Sequence, residues 1–69
     1  MSALEVDQDG ENGFVRHSNR QTLLDFIAHL RTHDILKFSY PMPDQERGEG
    51  WMMFLYVQVS QEIIDSFEG

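Results

Sequence analysis

Residues 18–40 read SNRQTLLDFIAHLRTHDILKFSY, and the spacing of their apolar side chains changes partway along the stretch. Between residues 23 and 30 apolar side chains recur at intervals of three and four, which predicts an amphipathic helix. Between residues 35 and 40 they alternate with other residues, which predicts a strand. A helix followed directly by a strand indicates an α+β domain.

The predicted helix has a recognisable beginning. Ser18 with Gln21 three residues later forms a capping-box pattern, so the helix is predicted to begin with Ser18 as its N-cap. Its end is predicted near residues 32–34. The apolar stripe expected to pack on the sheet consists of Leu23, Phe26, Ile27 and Leu30.

Downstream of the predicted strand 35–40, two prolines interrupt the pattern. Pro41 and Pro43 are predicted to end this strand, and residues 44–50 to form an exposed loop. Residues 51–59 read WMMFLYVQV, with apolar side chains on both faces of a predicted strand that pairs with strand 35–40. Ser60 is predicted to cap a short C-terminal helix with Ile63, Ile64 and Phe67 on its apolar side.

The N-terminal region has a different composition. Residues 1–13 carry four of the twelve acidic residues, so they are expected to form an acidic, largely flexible tail before a single domain spanning residues 14–69. An alternative is a hairpin turning at Asn12-Gly13, which would bring residues 4–6 against residues 14–16. The fold prediction is α+β: a small antiparallel sheet of two or three strands, with residues 14–17 as the third, one main amphipathic helix and a short C-terminal helix.

Length and charge exclude several function classes. The chain has 69 residues, no cysteine and a formal net charge of −7. These values predict one small domain without disulfides, and they argue against direct binding to nucleic acid or to an anionic membrane. The uncharged run at 51–57 is too short to span a bilayer. Residues 1–13 contain no apolar leader segment, so the cytosol is the expected location.

Three patterns resemble catalytic or metal sites, but none of them is complete. Residues 5–10 match only the first half of a calcium loop, because the required Glu at its twelfth position is missing. Asp25, His29 and His33 recur at intervals of four on the predicted helix, which leaves a metal-dependent enzyme as a remote alternative. A hydrolytic site in which one of these residues or His17 activates Ser39 or Ser60 lacks any recognisable motif. We therefore predict no enzyme, no catalytic residue, no metal site and no cofactor.

The strand 51–59 and the preceding loop hold the candidate binding residues. Trp, Tyr and Met are enriched at the centres of protein interfaces, although the same side chains serve equally well as core. If this strand lies at a sheet edge, pairing with a second copy would give a homodimer. The predicted partner-binding residues are the anchors Trp51, Met52, Phe54 and Tyr56 and the steering acids Asp44, Glu46 and Glu49.

The leading hypothesis is a small acidic, non-enzymatic regulatory or adaptor module that acts by occupying a partner protein, which carries a basic surface. The alternative is an acidic inhibitor that competes with nucleic acid for such a surface.

Overall fold

We analysed a computed structural model of the chain, which describes residues 4–10 and 12–68. Two helices pack against an antiparallel sheet with the strand order β1-β2-β4-β3. The fold is α+β as predicted, but the sheet has four strands in the described residues rather than two or three. The strands are β1 (Glu5–Asp9), β2 (Asn12–His17), β3 (Met42–Pro43) and β4 (Trp51–Leu55), and the helices are α1 (Arg20–Thr32) and α2 (Gln61–Glu68).

The first two strands form a hairpin. Its connection begins at Gly10, whose φ of 68° is accessible to glycine at little cost. The alternative hairpin prediction placed Gly13 in the turn, but Gly13 lies inside β2. A Cβ at this position would lie 2.7 Å from the carbonyl oxygen of Asp7. Strand β1 therefore falls within residues 1–13, the segment that the sequence analysis separated as an acidic tail, and Val6 pairs with Val15.

Strand β4 is central. It pairs with β2 along its whole length, with Phe14 opposite Phe54, and on its other side it pairs with Met42 and Pro43. Because β4 lies between two strands, the pairing of this strand with a second copy at a sheet edge is excluded. The predicted end of this strand was also wrong: β4 ends at Leu55, where the chain bends, rather than at residue 59.

The predicted strand 35–40 was wrong as well. Only Phe38 forms a bridge, to Leu55, and the main-chain hydrogen bonds of residues 37–39 reach only the end of β4. One cause is Ser39, whose Oγ accepts the Phe54 N–H at 2.8 Å in place of a strand carbonyl.

Helix α1 begins one residue later than predicted. Its N-cap is Asn19, whose Oδ1 accepts a hydrogen bond from the Gln21 N–H at 2.9 Å, and Ser18 lies outside the helix. The predicted packing stripe is confirmed, since the four α1 residues Leu23, Phe26, Ile27 and Leu30 are all buried.

A single core lies between the helices and one face of the sheet. Its strand residues are Val15, Met53 and Leu55, which are fully buried against the α1 stripe, and Ile64 brings α2 to the same core. The short C-terminal helix is confirmed and follows Ser60, whose carbonyl accepts the Ile63 N–H at 3.1 Å. Among residues 4–10 and 12–68, no helix has the length and apolar content that a membrane span requires.

Candidate protein-binding face

The helices cover only one face of the sheet. Val15 and Met53 point into the core, and side chains alternate between the two faces of a strand. The residues between them therefore project from the opposite side. We call this side the open face; it carries Phe14 and Arg16 of β2, Met52 and Phe54 of β4 and, by their pairing, Glu5 and Asp7 of β1 and Met42 of β3.

The centre of the open face is apolar. Phe14 lies directly opposite Phe54, and both rings are half-buried. Met52 is only 8% exposed, yet it does not belong to the core cluster beneath the helices. Met42, on the edge strand beside it, is 36% exposed. Apolar side chains grouped on a sheet face that no helix covers are typical of an interaction surface.

Arg16 organises the polar half of this face. Its Nε lies 3.0 Å from Asp44 Oδ2, and its Nη2 also pairs with Glu46. The guanidinium carbon lies 4.5 Å from the centroid of the Phe14 ring, a cation–π geometry. The side chain of Arg16 is only 13% exposed, and Asp44 is buried. These contacts hold the acidic loop 44–50 against the sheet.

A second ion pair ties the same loop to β1. The Arg47 guanidinium pairs with the Glu5 carboxylate, and the pKa of Arg47 is raised above its ordinary value, first because Glu5 accepts its hydrogen bond and then because of the charges of Glu5, Asp44 and Glu49. Among the predicted steering acids, Asp44 is thus buried in an ion pair, Glu46 is exposed but paired, and Glu49 is exposed.

A cleft of about 480 Å³ lies beside these ion pairs, lined among others by His17, Arg47, Glu49 and Trp51. His17 Nδ1 accepts the Asn19 N–H at 2.9 Å, and its buried Nε2 has no partner among the described residues. That nitrogen is shielded from solvent.

The four predicted anchors do not share one surface. Met52 and Phe54 lie on the open face, whereas Trp51 packs against the core, and the Arg20 guanidinium carbon lies 5.8 Å from its ring centroid. Tyr56 is 54% exposed and lies just beyond the end of β4.

Phe14, Arg16 and Met42 belong to this surface but are not among the partner-binding residues predicted from the sequence. Residues 14–17 read FVRH and residues 51–54 read WMMF, so neither stretch alternates and no periodic pattern pairs Phe14 with Phe54. No local signal places Met42 on the open face, because that position depends on how the loop returns to the sheet.

The three residues of the remote metal-site alternative make structural contacts. Asp25 accepts a hydrogen bond from Gln21, and His29 Nε2 lies 2.8 Å from the Ile63 carbonyl oxygen, which links α1 to α2. The ring of His33 lies 4.9 Å from that of His29. Within the described ranges no group of three or more His, Cys, Asp or Glu residues is arranged to hold a metal ion.

The open face is therefore the best-defined candidate site in the described part of the chain. Comparison of this chain with protein-family models, with curated proteins and with solved structures found no match.

Proposed function

We propose that this chain is a small, non-enzymatic protein-binding module that acts by occupying a partner protein through its open face. The observation that carries the proposal is the apolar centre on the sheet face that the helices leave uncovered. Both helices pack on the core face, while Phe14, Met52 and Phe54 project from the other. The sheet presents these side chains on a rigid scaffold, so little conformational entropy is lost when a partner binds.

The packing favours an interface over a core role for these residues. Val15, Met53 and Leu55 complete the core under the helices, and the open-face residues are not part of that cluster. Aromatic residues, Met and Arg are the types enriched at the centres of protein interfaces. We therefore propose Phe14 and Phe54 as the anchors, with the exposed carboxylates of Glu46 and Glu49 at the rim.

Competition with nucleic acid for a basic protein is less well supported. An acidic inhibitor of that kind needs carboxylates that are free to replace phosphates. Asp44 and Glu46 instead pair with Arg16, and Glu5 pairs with Arg47. This arrangement supports an apolar interface with an acidic rim.

The test is quantitative capture of partners from the native lysate by the tagged chain and by two variants. The Phe14→Ala/Phe54→Ala double variant removes both rings from the open face. Leu36→Ala is the matched control, because Leu36 is 69% exposed and lies outside β1 to β4. We expect a stoichiometric partner that binds the wild-type chain and the control and is lost from the double variant, with all three chains giving the same circular dichroism spectrum. Equal capture by all three chains would exclude the open face as the binding site.

A further inference from the structure

Strand β1 is the long edge of the sheet. The opposite edge strand, β3, has only two residues, and one of them is Pro43, which has no N–H to donate. Strand β1 has five residues, and its register with β2 runs from Glu5 to Asp9 without a bulge. The sheet therefore has one regular edge of about 17 Å along which a further strand can pair.

The hydrogen bonds of β4 determine which backbone groups β1 directs toward β2. The Phe54 carbonyl accepts the Ser39 N–H at 2.9 Å, and the Phe54 N–H donates to Ser39 Oγ, so both groups of Phe54 point away from β2. Phe54 and Phe14 are therefore a non-hydrogen-bonded pair. Because a residue that does not bond one neighbouring strand bonds the other, Phe14 exchanges its hydrogen bonds with Asp7 of β1.

The neighbours of Asp7 along β1 are Val6 and Gln8, and alternation directs their backbone N–H and C=O groups out of the sheet edge. In the described part of the chain, no backbone hydrogen bond joins either residue to a further strand. Their side chains point to the core side, since Val6 pairs with the buried Val15 and Gln8 binds the Val59 backbone there. The outward N–H and C=O groups of Val6 and Gln8 are therefore free to bond an added strand.

Asp7 determines which charge an added strand should carry. Its side chain is exposed and has no ion-pair partner among the described residues, whereas Glu5 pairs with Arg47. An antiparallel strand bonded to Val6 and Gln8 places one residue directly opposite Asp7, at the close spacing of a non-hydrogen-bonded pair. A second copy of β1 would bring its own Asp7 to that position, where like charges are unfavourable, and a Lys or Arg there is favourable.

We infer that the edge of β1 binds an extended basic segment of the partner protein as an additional antiparallel strand. Main-chain hydrogen bonds with Val6 and Gln8 supply the affinity, and a Lys or Arg opposite Asp7 supplies the specificity. Asp7, Phe14 and Phe54 lie opposite one another across three strands, so the added strand extends the open face. This inference rests on the proposed function and specifies how the partner engages the sheet.

The probe is an amidated peptide of about seven residues in which valine and lysine alternate, with a fluorescent label at its N-terminus. One control peptide carries Glu in place of every Lys. Two further peptides are N-methylated, the first at two valines and the second at two lysines. In the inferred pairing the valine N–H groups donate to β1 and the lysine N–H groups point away from it, so only the first methylation removes hydrogen bonds with the chain.

Binding of each peptide to the full chain is measured by fluorescence anisotropy, and amide hydrogen exchange maps the site. The Asp7→Asn variant removes the charge at the edge of β1. It is matched by Asp65→Asn, which removes the same charge from an exposed position on α2. Competition of the valine–lysine peptide with the natural partner links the edge to the proposed function.

We expect the valine–lysine peptide to bind about 10-fold more tightly than the glutamate peptide and the valine-methylated peptide, and as tightly as the lysine-methylated peptide. At saturation it slows exchange of the Val6 and Gln8 N–H groups by about 10-fold, whereas the Asp7 N–H is already protected by β2 in the free chain. The Kd rises about 3-fold in Asp7→Asn and is unchanged in Asp65→Asn.

Three outcomes would overturn the inference. These are equal binding of the two methylated peptides, equal effects of Asp7→Asn and Asp65→Asn, and a sedimentation mass of two chains with the Val6 and Gln8 amides already protected, which would assign the edge to a second copy. If the natural partner is lost from the Phe14→Ala/Phe54→Ala variant but the valine–lysine peptide does not compete with it, the proposed function stands and the added strand is wrong. Retention of the natural partner by the double variant removes the proposed function itself.

Discussion

The side chain of Gln8 forms two hydrogen bonds with the backbone of Val59. Its Nε2 donates to the Val59 carbonyl oxygen at 2.9 Å, and its Oε1 accepts the Val59 N–H at 2.7 Å. The amide group thus takes the place of a neighbouring strand. It joins β1 to the segment that follows β4. It also provides hydrogen-bond partners for the backbone N–H and carbonyl of Val59, whose side chain is buried.

Gln8→Ala is therefore expected to lower the free energy of unfolding by about 2 kcal/mol, because two partly buried hydrogen bonds are lost together. The exposed Gln58 is the matched control, and Gln58→Ala is expected to change stability by less than about 0.5 kcal/mol. Urea unfolding followed by Trp51 fluorescence measures both. Equal stability of the two variants would mean that the Gln8 contact contributes nothing net.

Two adjacent residues distinguish the predicted helix start from the observed one. Asn19 accepts the Gln21 N–H, whereas Ser18 makes no capping contact in the described residues. Asn19→Ala should reduce the free energy of unfolding by about 1 kcal/mol, the usual contribution of an N-cap side chain. Ser18→Ala should leave it within about 0.5 kcal/mol of the wild-type value. Thermal unfolding of the two variants measures this difference in stability. If Ser18→Ala is instead the more destabilised variant, Ser18 is the N-cap.

The helices could be predicted from the sequence because local residues determine them. The apolar stripe of α1 is formed by residues that repeat within a few turns, and all four predicted packing residues are buried. Ser60 preceding an apolar helical repeat was enough to predict α2. The start of α1 was missed by one residue, since Ser18 and Asn19 are both good caps and only the chain path into the helix selects between them.

The sheet could be predicted only in part, since strand pairing depends on residues that are distant in the sequence. Strand β1 is rich in acids and reads as a tail, but Arg47 from the distant loop pairs with Glu5. Residues 35–40 alternate like a strand, but the Ser39 side chain competes for the hydrogen bonds of β4. The candidate site could be predicted only in part for the same reason. Phe14 lies opposite Phe54 only because β2 pairs with β4.

The ion pair between Arg16 and Asp44 is expected to contribute to stability as well as to the shape of the open face. Asp44→Asn keeps the acceptor for the Arg47 N–H but removes the charge that Arg16 faces. We expect Asp44→Asn to lower the free energy of unfolding by about 2 kcal/mol. This is less than the usual cost of breaking an isolated buried ion pair, because Glu46 still pairs with Arg16.

Glu49→Gln, at an exposed position in the same loop, is the control for Asp44→Asn and is expected to be neutral within about 0.5 kcal/mol. In a double-mutant cycle measured by urea unfolding, Arg16→Met should cost less in the Asp44→Asn background than in the wild-type chain. Equal costs in the two backgrounds would show that the two residues are not coupled.

His29 is expected to hold α2 against α1. Its Nε2 lies 2.8 Å from the Ile63 carbonyl oxygen and its ring lies 5.5 Å from the Phe67 ring. His29→Ala should therefore speed hydrogen exchange of the α2 amides by about 10-fold, a local loss of about 1.4 kcal/mol, and leave β2 and β4 protected. His33→Ala, at an exposed position, is the control and should leave exchange unchanged. A stoichiometric zinc ion retained by the wild-type chain and lost from both variants would instead support the metal site.

Met53 and Phe54 are neighbours on β4 that point to opposite faces. Met53 is fully buried under the helices, and Phe54 is half-buried on the open face. Met53→Ala is expected to lower the free energy of unfolding by about 3 kcal/mol, because it leaves a cavity in the core. Phe54→Ala, although it removes a larger side chain, is expected to cost about 1 kcal/mol, since the ring already contacts solvent and much of its apolar area is not buried by folding.

Urea unfolding measures both variants, and partner capture supplies the second readout. We expect the Phe54→Ala chain to fold nearly as well as the wild type but to lose its partner. This result would show that one face of β4 serves stability and the other serves binding. If Phe54→Ala instead destabilises the chain as much as Met53→Ala, the Phe54 ring belongs to a second core, and the open face would not be an exposed binding surface.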